Sequence, residues 1–193
     1  MKKIAVFASG NGSNFQALID AEQAGNLHAS VELLVCDNPN AFVIRRAQAA
    51  GIPIYSFVPK SFSSKETFEK EILRELEKRE IEFIVLAGYM RMVGKTLLQH
   101  FEDKIVNIHP SLLPAFPGKD AVGQALKVGV KIIGVTIHFV DEGMDTGKIV
   151  AQEGIPVSPM DTRESLEEKI HEVEHWLYPR TLNQLFHQFT EMK

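Results

Sequence analysis

Short runs that are apolar at nearly every position alternate along the chain with stretches whose apolar residues fall at helical spacing. Residues 4–9, 31–36, 54–58, 83–87 and 104–108 read as strands. Between them, residues 14–24, 42–50, 65–79 and 95–101 read as helices, with apolar faces such as Phe68, Ile72, Leu73 and Leu76. A strand apolar on both faces needs cover on both, and parallel neighbours need a crossover helix. The order βαβαβαβαβ therefore predicts a parallel sheet between two helical layers.

The last third changes character. Residues 124–127 suggest a short helix, and residues 133–140 and 149–157 two strands joined by only about eight residues. A link that short favours an antiparallel pair. A helix over residues 162–189 follows, with Pro179 as a point where it can bend and the lone Trp176 expected in the core. The expected fold is α/β: a doubly wound, mostly parallel Rossmann-like sheet with an antiparallel C-terminal extension and a long C-terminal helix. It is expected to be a single domain over residues 1–193, with a phosphate-binding half to about residue 100 and a catalytic half from about residue 101. Ligands of such sheets bind beyond the carboxyl ends of the strands.

Composition narrows the classes. At 193 residues and 45% hydrophobic, the chain can bury a core without disulfides or a structural metal. The single cysteine, Cys36, follows an apolar run and reads as a buried, inert thiol in a reducing compartment. No run approaches the ~18 apolar residues of a membrane span, and the N-terminus lacks a signal-peptide pattern, so a cytoplasmic protein without a membrane partner is expected. A net charge of −4 argues against nonspecific nucleic-acid binding.

Four motifs bear on chemistry. Residues 9–14, Ser-Gly-Asn-Gly-Ser-Asn, stand between the first strand and the first helix. Glycines there allow a sharp turn and close backbone approach, and free amides at a helix start attract phosphate. Ser13 or Asn14 is expected to cap the helix. Phe15 occupies the third glycine position of the dinucleotide fingerprint, so a monophosphate is the better expectation. At the end of the fifth strand, Asn107 and His109 lie two apart, share a face and suit an oxyanion, although they could also merely tie down a loop. The acidic loop 141–147 gains meaning only if Asp145 meets His109, to orient its ring or relay a proton. Finally, His171-Glu172-Val173-Glu174-His175 matches the H-E-x-x-H pattern of zinc hydrolases. Glu167, Glu168, Lys169 and Glu172 make that helix read as a solvated face instead, and no metal is expected.

With these residues in view, the chain resembles the phosphoribosylglycinamide formyltransferase family of folate-dependent enzymes over essentially its whole length. The resemblance rests on residues 9–14, on Leu-Ala-Gly-Tyr-Met-Arg at 86–91, on Asn-Ile-His-Pro-Ser-Leu-Leu-Pro at 107–114, and on the loop ending at Asp145. It implies formyl transfer from 10-formyltetrahydrofolate, as cosubstrate, to the amine of phosphoribosylglycinamide in purine synthesis. It further implies Asn107, His109 and Asp145 as the catalytic trio, with Gly12, Ser13 and Asn14 on the substrate phosphate and Glu174 on the ribonucleotide. Met90, Arg91, Met92 and Val93, with Val140, Asp141, Met144 and Asn107, would hold the folate. Lys65 would lie near it as a lysine where the family places an arginine, which offers no bidentate fork.

Among relatives, methionyl-tRNA formyltransferase would be expected to need an added tRNA-binding domain and a different run after Leu113-Pro114, where this chain has Ala115-Phe116-Pro117-Gly118. Formyltetrahydrofolate hydrolase would be expected to carry a further N-terminal domain. A dinucleotide-binding module would use the first loop without chemistry and would be stabilised by nicotinamide cofactors rather than by folates. The sequence leaves monomer and homodimer equally open.

Overall fold

In the computed structural model, which describes residues 1–191, all strands belong to one seven-stranded sheet in the order β3-β2-β1-β4-β5-β6-β7. The strands are β1 (Lys2–Ala8), β2 (Ala29–Cys36), β3 (Ile54–Ser56), β4 (Phe83–Leu86), β5 (Ile105–His109), β6 (Ile132–Phe139) and β7 (Ile149–Pro156). The helices are α1 (Ser13–Gln23), α2 (Phe42–Ala50), α3 (Lys65–Lys78), α4 (Lys95–His100), α5 (Ala121–Val128) and α6 (Arg163–Glu191). β1 to β5 are parallel, whereas β6 runs antiparallel to β5 and β7 antiparallel to β6.

Both faces of the sheet are covered, as the strand composition requires. Ile4, Val6 and Ala8 of β1 face one apolar cluster with α1, α2, α5 and α6. Ala5 and Phe7 face the other, with α3 and α4. All five are fully buried, which is why β1 reads as a continuous apolar run rather than an alternating one. The chain winds outward from β1 to β3, then returns to place β4 on the other side of β1. The crevice at this reversal is where an α/β sheet takes its ligands. Two loops leave it side by side, since the Ser9 amide donates to the Gly88 carbonyl at 3.1 Å.

Several local expectations shift. The short helix begins earlier than residue 124, at Ala121, because Gly123 does not break it: the missing Cβ is what lets the Asp120 side chain lie against that turn. β3 stops at Ser56, where the edge strand has only β2 to pair with. α6 passes through Pro179 as one continuous helix. Trp176 lies outside the core, 44% exposed with Arg180 over its ring, while neighbouring Tyr178 is the buried aromatic. The Tyr178 hydroxyl reaches the carbonyls of Leu86 at 2.8 Å and Val106 at 3.1 Å, tying α6 to β4 and β5. Cys36 is fully buried, and burial pushes its thiol up from the ordinary range.

Candidate active site

Gly12 is the residue on which the first loop turns. It takes φ +77°, and a Cβ there would lie 2.4 Å from Val43 Cγ2, so only glycine fits. It is also the N-cap of α1, with no side-chain cap; the expected capping by Ser13 or Asn14 does not occur, because both already lie within the helix. The first-turn amides therefore keep no intramolecular side-chain acceptor at this end. Arg46 of α2 braces the loop, donating from Nε to the Asn11 carbonyl and from Nη2 to Asn11 Oδ1, both at 2.9 Å. Asn14 turns its Nδ2 to Glu174 Oε2 of α6 at 3.0 Å, and its Oδ1 is buried without a partner. Glu174, itself 4% exposed, also accepts from His171 Nδ1 at 3.0 Å.

Asn107, His109 and Asp145 come together at the end of β5. Asp145 Oδ2 lies 3.5 Å from His109 Nδ1, and Oδ1 lies 3.6 Å from Nε2 of a second histidine, His138. The Gly118 amide fixes the carboxylate by donating to Oδ2 at 2.7 Å. Burial alone would raise the Asp145 carboxyl. Attraction to the His138 ring, the hydrogen bond from the Gly118 amide and attraction to His109 together outweigh it, holding the group below its usual range. His109 Nε2 stands 2.8 Å from the Phe116 carbonyl, an acceptor only, so Nε2 carries a proton. A second proton, on Nδ1, would face the carboxylate.

His138 escaped the sequence reading. It pairs with Asn107 in the β5–β6 register, and Thr136, two residues earlier on the same face, pairs with His109. Its Nδ1 donates to the Phe139 carbonyl at 2.8 Å, leaving Nε2 within 3.3 Å of Asn107 Nδ2. Nε2 can thus accept from Asn107 or, once protonated, face Asp145. Two polar residues at alternate positions of an otherwise apolar strand were the available signal. Which strand they would face was not readable without the antiparallel register.

The residues expected at the folate divide into groups. Met90 and Met92 are 70% and 40% exposed and Val93 is buried, in the loop leaving β4. The Met90 amide donates to Ser9 Oγ at 2.9 Å, and Arg91 Nε donates to Asp37 Oδ2 at 2.7 Å. Val140 packs partly buried beyond β6, and Met144 is exposed. Asp141 closes its own loop by accepting from the Gly143 amide at 3.0 Å and from Thr146 Oγ1 at 2.7 Å. Lys65 opens α3 in an exposed position, and the trio's hydrogen bonds and ion pairs do not include it.

The H-E-x-x-H segment has a different arrangement. His171 and His175 stack with centroids 6.1 Å apart, and Glu174 rather than Glu172 turns inward. Among the described residues, no group of three or more His, Cys, Asp or Glu side chains is placed to hold a metal ion. No described helix is long and apolar enough to cross a membrane.

A part-buried acid between two imidazoles, an amide beside them and a glycine-turned helix start thus stand together on a Rossmann-like sheet. Residues 2–182 match the formyl transferase family, and the chain belongs to it. Within the family it is similar to phosphoribosylglycinamide formyltransferases. It is 57% identical over 185 residues to the phosphoribosylglycinamide formyltransferase of Bacillus subtilis (strain 168), covering 96% of this chain and 95% of that one. The crystal structure of glycinamide ribonucleotide transformylase 1 from Geobacillus kaustophilus superposes with a TM-score of 0.94 at 60% identity, covering 96% and 98% of the two chains. That of phosphoribosylglycinamide formyltransferase from Bacillus halodurans gives 0.93 at 53% identity, covering 95% of each. The chain is a formyltransferase enzyme.

Proposed function

We propose that the chain transfers the formyl group of 10-formyltetrahydrofolate to the amine of phosphoribosylglycinamide, in the cytoplasm, as one domain over residues 1–193. The observation that carries the chemistry is the Asp145 carboxylate set between His109 and His138 beside Asn107. The names of the relatives support phosphoribosylglycinamide as the acceptor.

The amine attacks the formyl carbon, a C–N bond forms, and the carbonyl electron pair moves onto oxygen. Asn107 donates from Nδ2. His109 Nε2 is occupied by the Phe116 carbonyl, so its second donor is a proton on Nδ1. The 3.5 Å separation from Asp145 exceeds a normal hydrogen bond, so the Nδ1–H, fixed in the ring plane, is left for an oxyanion bound along its line while the carboxylate still stabilises the charge. Collapse restores the carbonyl and breaks the bond to the folate nitrogen, which takes the amine's proton by way of Asp145 and water. His138 holds the Asn107 amide in place by accepting from it.

The ribonucleotide phosphate binds the amides of Gly12, Ser13 and Asn14, where a charged ligand replaces the absent side-chain cap. Asn14 Oδ1 and Glu174 accept from the ribose hydroxyls. Folate lies against Met90, Arg91, Met92 and Val93 and against Val140, Asp141 and Met144, with Lys65 near its acidic tail.

The test follows 10-formyltetrahydrofolate by absorbance, with and without phosphoribosylglycinamide. Turnover that requires the ribonucleotide is the expected result. Turnover without it would make the chain a hydrolase, and turnover in neither would refute the donor.

A further inference from the structure

The loop from β4 to α4, residues 88–94, carries the side chains assigned to folate, yet its first and last parts are held by groups from elsewhere. At its start, the Gly88 carbonyl and the Met90 amide bond the backbone and hydroxyl of Ser9, and Arg91 pairs with Asp37. At its end, the Gly94 amide donates to Glu69 Oε1 of α3 at 2.6 Å.

This last contact is costly and specific. Glu69 is 3% exposed and faces the apolar layer of α3 and α4, with no cation at ion-pair distance among the described residues. Burial pushes its carboxyl up, against the Gly94 amide and the more distant charge of Lys65. Gly94 is the N-cap of α4 and supplies no side-chain cap. A Cβ at residue 94 would stand 2.5 Å from Glu69 Oε2, so the carboxylate occupies the space that glycine leaves. A serine or aspartate at residue 94 would cap α4 from within and spare the buried charge. What the borrowed cap adds is a fixed distance between α3 and the loop. Lys65 precedes Glu69 by one helical turn, on the same face of α3. Tyr89 lies inside the same frame: burial first, then the charges of Asp37 and Glu69, push its hydroxyl well above the ordinary range.

We propose that Glu69 is a positioning residue for the folate subsite, locking residues 88–94 to the N-terminal half of α3 so that Lys65 and residues 90–93 meet the folate as one preformed surface. The inference rests on the folate reading above. Its loss leaves the phosphate loop and the Asn107–His109–Asp145 cluster untouched, because neither contacts Glu69.

The experiment compares the parent with Glu69→Ala and Glu69→Gln in steady-state kinetics, varying each substrate in turn. A hydrogen bond to a charged acceptor governs roughly 10-fold to 100-fold in an equilibrium. Glu69→Ala is expected to raise KM for 10-formyltetrahydrofolate about tenfold, with KM for phosphoribosylglycinamide within about twofold of the parent. Glu69→Gln, which keeps an acceptor for the Gly94 amide, is expected to restore the folate KM to within about threefold. An unchanged folate KM in Glu69→Ala overturns the proposal, as does an equal rise in both KM values, which marks general damage. If Glu69→Ala does not fold, Gly94→Ala strains the same contact from the other side, and its failure to raise the folate KM selectively is equally fatal. A parent that shows no folate-dependent turnover refutes the functional reading itself, an outcome separate from any difference among variants.

Discussion

Replacing Asp145 by asparagine keeps the volume of the side chain and an oxygen for the Gly118 amide while removing the charge that faces two imidazoles. At 3.5 Å from His109 Nδ1, and at an effective dielectric near 20, that charge is worth about 5 kcal/mol to a protonated ring. Part returns through the amide dipole and through solvent, since the side chain is 13% exposed. About 3–4 kcal/mol of the barrier remains, a loss in kcat of roughly 10²–10³. The assay is saturating turnover by absorbance, alongside KM for each substrate and a melting curve. KM for phosphoribosylglycinamide should hold within about threefold and the melting temperature within about 4 °C, because phosphate and core contacts do not involve residue 145. A kcat within threefold of the parent would refute the electrostatic role. A parallel collapse of kcat, phosphate affinity and melting temperature would make Asp145 structural.

Asn107→Ala removes one oxyanion donor and should lower kcat about a hundredfold or more with little change in either KM; near-normal turnover would contradict the assignment. Gly12→Ala places a Cβ at 2.4 Å from Val43 on a left-handed backbone, so it should destabilise the fold by about 2 kcal/mol or more and raise KM for the ribonucleotide, as melting and kinetics would show. Glu174→Ala should raise the ribonucleotide KM about tenfold, since it strands the buried Asn14 amide, while leaving the folate KM alone. Glu69 supplies a pH test. Its folded carboxyl is raised, so it binds its proton more readily folded than unfolded; its effect on stability is most favourable at low pH and lessens as pH rises through that raised value. Glu69→Gln should therefore melt no lower than the parent at pH 7.5 and gain nothing on mild acidification; a variant less stable at pH 7.5 would contradict this.

What the chain alone determined is what depends on local pattern. The period of its apolar residues dictated parallel strands between helices, because a strand such as β1 with no polar face must be covered twice. The eight-residue link after residue 140 dictated the antiparallel turn of β7, and Asn107 and His109 shared a face because the strand repeat is two. The Cα position that only glycine can take at residue 12 was legible as a loop, though not as the cap itself. Contacts across long stretches of sequence were decided by tertiary structure. His138 joins Asn107 only through the β5–β6 register, Asp145 reaches both histidines only because a loop from β6 folds back over β5, and Glu69 meets Gly94 across 25 positions of chain. Each of these places a charge or a ring nitrogen beside a partner that no periodicity can reveal, because burial and direction of the side chains exist only once the layers have packed.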